Sequence, residues 1–122
     1  MKFGIYCTAE NPIGKALELV TKALGGHEPT IVCDESVLYE GIQENQYQAM
    51  IMVSVANPAR NLSLAKALRK ITNMPICSLV MKEENLEDLA EKNIKQIPIL
   101  QAVPDLLTFL AEAEKNLGDK HD

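Results

Sequence analysis

The residues best placed to carry chemistry follow the ends of four apolar segments of the chain. They are Cys7 and Thr8, Val53 and Ser54, Val80 and Met81, and Gln101. In open α/β sheets, ligands bind outside the carboxyl ends of the strands. No carboxylate, imidazole, amine or guanidinium stands at these positions. The sequence therefore does not predict general acid–base catalysis or a metal site there, and it names no substrate.

Polar residues next to these positions define a candidate crevice. It comprises Glu10, Asn11, Ser54, Asn57 and Arg60. Such a set can hold an anion or a small polar ligand, but ordinary loop polarity alone also explains it and is the simpler interpretation. Both interpretations stay open at this stage.

Cys7 has two interpretations as well. It precedes a predicted helix, whose amino terminus would lower the pKa of the thiol and favour a reactive thiolate. The segment 8–13 contains no glycine and no arginine that would form a phosphate-binding loop. We favour a structural role for Cys7 over a catalytic one. Cys33 and Cys77 are predicted to be reduced, buried thiols without a disulfide or zinc pattern, and His27 is predicted to lie in a solvated turn.

Apolar segments of strand length alternate with segments of helical period five times. Strands are predicted at residues 2–7, 29–33, 49–53, 75–81 and 96–101. Helices are predicted from residue 12 to the Gly25–Gly26 stop, at 36–44 behind an Asp34 cap, around 62–71, at 86–92 and from 104 onward. The first of these helices should bury Ile13, Ala16, Leu17, Val20 and Leu24. The pattern predicts an α/β fold with a doubly wound parallel sheet and helices on both faces.

Length, charge and hydropathy exclude several classes of protein. The chain has 122 residues and a formal net charge of −5, which fits one domain with a frayed tail at residues 117–122 and gives no basic surface for nucleic acid. No apolar segment approaches the length of a membrane span. We expect a soluble, cytoplasmic protein that binds neither nucleic acid nor membrane, and we predict no cofactor and no metal.

Three segments resemble the receiver domain of bacterial two-component response regulators. They are residues 47–53, 61–69 and 74–80, and the order and lengths of the elements match over nearly the whole chain. The resemblance implies a flavodoxin-like, five-stranded sheet in the order 2-1-3-4-5. It also implies a signalling role, with a phosphoacceptor carboxylate after the third strand and an acidic pair after the first that holds Mg²⁺.

Every position of that phosphorylation site is changed in this chain. The phosphoacceptor position falls on Val53, the acidic pair on Cys7 and Thr8, the hydroxyl position on Val80 and the lysine position on Gln101. A shift of one residue supplies only Ser54. The resemblance therefore implies a pseudo-receiver, which is not an enzyme and acts through a protein partner of unknown identity, with a second copy of the chain as one candidate.

The resemblance also implies an interaction face near the end of the chain. Its charged members are Glu87, Asp88, Glu91, Lys92 and Lys95, and a simple solvated surface explains them as well. The alternative function is a small α/β ligand-binding protein or a Cys7-dependent enzyme that uses the strand-end crevice.

Overall fold

The computed structural model describes residues 1–7, 12–53, 58–80, 94–98 and 102–119. Nine elements lie in these ranges. In chain order they are β1 (Lys2–Tyr6), α1 (Pro12–Gly25), β2 (Glu28–Val32), α2 (Glu35–Gln43), β3 (Met50–Val53), α3 (Pro58–Arg69), β4 (Ile76–Val80), β5 (Ile94–Pro98) and α4 (Ala102–Asp119). The predicted helix at 86–92 lies outside the described residues.

The five strands form one parallel sheet in the order β2-β1-β3-β4-β5. This order confirms the predicted flavodoxin-like topology. The chain passes from β2 across β1 to β3, so the direction of winding reverses beside β1. That reversal places the switch point, where α/β sheets bind ligands, between the carboxyl ends of β1 and β3.

Apolar side chains cover both faces of the sheet. One hydrophobic cluster joins β1 and β3 to α1 and α4 through residues such as Ile5, Leu17 and Leu110. A second cluster joins the opposite face to α2 and α3 through residues such as Leu38 and Leu68. All four residues of β3 are buried, because a central strand of a parallel sheet has helices on both sides.

The helix α1 confirms part of the predicted face, because Leu17 is buried and Ile13 packs against the core. Its buried residues are Gly14, Leu17 and Thr21, whereas Ala16 is exposed and Leu24 is 69% exposed. The Thr21 hydroxyl donates a hydrogen bond to the Leu17 carbonyl oxygen at 2.7 Å, which removes most of the cost of burying it. Because Gly14 has no Cβ, the helix can lie close to β1 and to the Cys7 side chain.

The ends of α1 and α2 follow the predicted capping chemistry. Gly26 has φ of +64° and terminates α1 in the left-handed conformation that glycine adopts at little cost. The Asp34 carboxylate accepts a hydrogen bond from the Ser36 backbone N–H at 2.7 Å, as expected of a residue that caps a helix.

Three predicted boundaries or faces in the second half of the chain need correction. The helix α3 ends at Arg69, so Ile71 lies beyond it and is exposed instead of facing the core. The strand β5 begins at Ile94, two residues before the predicted start, and residues 99–101 of the predicted strand lie outside the described residues. The helix α4 starts before Pro104 and continues to Asp119; a proline is tolerated in the first turn because its missing N–H would have no partner there.

Candidate strand-end site

Cys7 is central to the strand-end site. It directly follows β1, and continuing the registers of β1 with β2 and β3 by one residue places it between Cys33 and Val53. The Cys7 backbone N–H donates to the Val32 carbonyl oxygen at 3.1 Å, which fixes this position. The side chains of Cys33, Cys7 and Val53 thus stand in a row at the carboxyl ends of β2, β1 and β3. Cys7 and Val53 were predicted site residues, but the sequence pattern did not pair either of them with Cys33.

The Cys7 thiol lies inside the core. The side chain is only 4% exposed, and a methyl group added at Gly14 would overlap its sulfur, so the sulfur packs against α1. Burial raises the pKa of the Cys7 thiol, and negative charge on Cys33 and Glu18 raises it further. The reactive-thiolate interpretation of Cys7 requires a lowered pKa, whereas burial shifts this pKa in the opposite direction.

Val53 occupies the end of β3 on the same face. It is 5% exposed and belongs to the hydrophobic cluster that contains Cys7. A valine offers neither an oxygen nucleophile nor a metal ligand. Within the described residues, no group of three or more His, Cys, Asp or Glu side chains is arranged to hold a metal ion.

The exposure of Cys33 differs from the prediction. Cys33 is exposed, whereas Cys7 and Cys77 are buried, and all three are free thiols. Cys33 follows the edge strand β2, which has a neighbouring strand on one side only. Cys77 lies in β4 with its side chain fully buried, and this burial raises the pKa of its thiol well above the usual range.

His27 is the second residue whose surroundings differ from the prediction. It is 6% exposed, and its ring lies edge-on to that of Phe3 with centroids 6.0 Å apart. Its Nδ1 lies 3.8 Å from a Glu114 carboxylate oxygen. Burial lowers the pKa of His27, the N-terminal amine lowers it further, and Glu114 opposes both. Desolvation is the largest of these effects, so the imidazole is neutral at pH 7 and the contact with Glu114 is not an ion pair there.

Several predicted site residues lie outside the described residues. They are Thr8, Glu10, Asn11, Ser54, Asn57 and Gln101 of the strand-end positions and Glu87, Asp88, Glu91 and Lys92 of the interaction face. Arg60 lies in the first turn of α3, and Val80 is the last residue of β4. Lys95 is exposed on β5, opposite Cys77 of β4. In the part of the chain that the structure describes, no helix is long and apolar enough to cross a membrane.

Comparison with known proteins supports the fold assignment. No family model matches the sequence, and no curated protein matches it. A solved structure with a similar fold is that of a two-component response regulator from Clostridium difficile, with a TM-score of 0.76 and 13% sequence identity over 96% of this chain and 98% of that one. The chain therefore has the flavodoxin-like fold of response-regulator receiver domains. At this identity the similarity establishes the fold and not the function.

Proposed function

We propose that this chain is a receiver-like signalling module that is not switched by phosphorylation and acts through contacts with other proteins. The observation that carries the proposal is the row of Cys7 and Val53 at the carboxyl ends of β1 and β3, both inside the hydrophobic core. The proposal includes a cytoplasmic location in a bacterium and the absence of enzymatic activity.

The chemistry of phosphoryl transfer supports this proposal. An aspartyl-phosphate switch needs a carboxylate nucleophile and a Mg²⁺ ion held by hard oxygen ligands. A buried thiol with a raised pKa and a valine side chain supply neither. A signal would then reach the module by binding or by a different chemical input.

The proposed contact surface includes Lys95. This lysine is exposed on β5, within a segment whose sequence carries charges of both signs. Charge complementarity across such a surface would determine partner choice and association rate more than affinity. The partner is a protein, with a second copy of this chain as one candidate.

The test of the missing phosphoryl switch is direct. The reduced protein is incubated with Mg²⁺ and either acetyl phosphate or beryllofluoride, and amide NMR shifts are recorded. A receiver with an intact phosphoacceptor, treated in parallel, is the control. We expect no Mg²⁺-dependent shifts at Cys7 and Val53; specific shifts there, or a mass increase of one phosphoryl group, would contradict the proposal.

The location of Cys7 beside the switch point is the observation that favours the alternative of a ligand-binding protein or a Cys7-dependent enzyme. That alternative needs a solvent-accessible thiolate, so thiol labelling separates it from our proposal. We expect iodoacetamide to modify Cys33 in the native protein, and Cys7 and Cys77 only after unfolding. Rapid native labelling of Cys7, with loss of ligand binding in Cys7→Ser, would favour the alternative.

A further inference from the structure

Cys7 and Cys33 are neighbours across two parallel strands. The register of β1 with β2 ends at Tyr6 opposite Val32, and each cysteine is the next residue of its chain segment. Adjacent strands lie about 4.7–4.9 Å apart, and disulfides span Cα separations of about 4.4–6.8 Å. The hydrogen bond from the Cys7 N–H to the Val32 carbonyl continues the strand pairing to this level. The backbones are therefore at a suitable separation for a disulfide.

The two side chains also point to the same face of the sheet. Ile5 and Ile31 are opposite each other, and both pack with the cluster that includes α1 and α4. Side chains two residues further along a strand return to the same face. Cys7 belongs to this cluster, and the same alternation from Ile31 places Cys33 on that face as well.

The unequal exposure of the two thiols suggests an order of reaction. Cys33 is exposed and accessible to a dissolved reagent, whereas Cys7 is buried. An accessible thiol that reacts first, with a second thiol poised to resolve the product, is the arrangement found in redox-sensitive cysteine pairs.

We propose that Cys7 and Cys33 form a reversible disulfide and that this pair is a redox-responsive site at the carboxyl ends of β1 and β2. This inference rests on the proposed function, because it supplies the input that a module without a phosphoacceptor requires. In reducing cytosol such bonds are transient and regulatory instead of structural.

The oxidant is a low-molecular-weight disulfide such as oxidised glutathione. The Cys33 thiolate attacks one of its sulfurs and expels one glutathione thiolate, which takes up a proton. Deprotonated Cys7 then attacks the Cys33 sulfur of the mixed disulfide and expels the second glutathione. Two protein thiols become one disulfide, one small disulfide becomes two thiols, and two electrons pass from the protein to glutathione.

The disulfide would cross-link the carboxyl ends of β1 and β2. The loop that this disulfide closes runs from Cys7 to Cys33 and contains all of α1 and β2. It would also draw the Cys7 sulfur away from its contact with Gly14. The oxidised and reduced forms would thus differ in how α1 packs on β1, which is a structural difference that a partner can recognise.

The experiment is oxidation of the full chain with glutathione buffers of graded ratio, without Mg²⁺ or phosphoryl donor. Intact mass after alkylation and peptide mapping provide the measurement. We expect wild type to lose two hydrogen atoms and give a Cys7–Cys33 cross-linked peptide. The peptide should be absent in Cys33→Ser, a surface change, and in Cys7→Ala, and it should form normally in the matched control Cys77→Ala.

Two results would overturn the inference. One is a stable glutathione adduct on Cys33 with Cys7 still reduced, and the other is a Cys33–Cys33 bond between two chains. The phosphorylation test uses the reduced protein, and the disulfide test contains no Mg²⁺. If no disulfide forms, the result of the phosphorylation test therefore still stands. A phosphoryl response would refute the proposed function even if the disulfide forms.

Discussion

The packing of the Cys7 sulfur against α1 can be measured with a double-mutant cycle. Gly14 is the third residue of α1, and a methyl group added there would overlap the sulfur. After the sulfur, the nearest atoms to that methyl are the Cys7 Cβ at 3.5 Å and the Ile5 Cγ2 at 4.0 Å. Both are ordinary contact distances. Removing the sulfur with Cys7→Ala should therefore make room for Gly14→Ala.

The expected free energies follow from two opposing effects. Alanine is favoured over glycine in a helix by up to about 1 kcal/mol. Inserting a methyl into a filled core costs about 1–3 kcal/mol. In wild type, Gly14→Ala should lower the free energy of unfolding by roughly 0–3 kcal/mol, the difference of these ranges. In Cys7→Ala, the same change should raise it by up to about 1 kcal/mol, which gives a coupling of about 1–3 kcal/mol.

The assay is urea unfolding of the four reduced proteins, followed by far-ultraviolet circular dichroism. Gly26→Ala is the matched control, because no atom lies within 4 Å of its added methyl and its cost comes from the φ of +64° alone. Its effect should be the same with and without the Cys7 sulfur. A coupling below about 0.5 kcal/mol for Gly14→Ala would refute the reasoning and would indicate that the Cys7 sulfur faces the crevice.

Two further predictions concern burial. Stability should fall as the pH drops below about 6.5, because the folded state holds the pKa of His27 below its unfolded value, so the unfolded chain takes up the proton first. His27→Leu should flatten this part of a plot of melting temperature against pH, and an unchanged slope would contradict our account. Leu17→Ala should lower the free energy of unfolding by about 2–5 kcal/mol, whereas Leu24→Ala should change it by less than about 0.5 kcal/mol. Equal losses in urea unfolding would mean that the burial of α1 is misassigned.

The parallel sheet was predictable from the sequence because its signals are long and redundant, and its strand order followed from the resemblance to receiver domains. Five alternations of apolar and amphipathic segments leave few topologies for a parallel sheet, given the handedness of the connections. The uninterrupted apolar residues before Val53 correctly predict the buried β3. The Asp34 cap was also predictable, because it depends only on local backbone geometry.

Hydrophobic periodicity predicted the burial of Leu17 in α1 but not the burial of Gly14 and Thr21. The pattern favours the side that carries Ala16 and Leu24, but the sheet contacts the side with Gly14 and Thr21. Residues with little or no side chain let α1 approach the sheet closely. The Thr21 hydroxyl donates its hydrogen bond to a carbonyl oxygen of the same helix, so it can be buried. Neither effect raises the apolar content of the face that is buried.

The two thiols at the strand ends were recognised separately in the sequence and not as a pair. The pairing depends on the register of β1 with β2, which links residues that are distant in sequence. A signal was present: Ile5 stands two positions before Cys7, as Ile31 does before Cys33. When two neighbouring parallel strands end in the same short pattern, their cysteines should be considered as a pair before each is assigned to the core.

The central strand has a consequence for chemical damage. Met50 and Met52 place two thioethers in β3, both completely buried. Peroxides convert methionine to a polar sulfoxide that disrupts packing. In the folded protein neither thioether meets solvent, so their oxidation requires opening of the sheet. A molecule that opens under oxidising conditions acquires polar groups in its central strand and loses packing that the closed sheet needs. The folded sheet therefore protects its own methionines from oxidation.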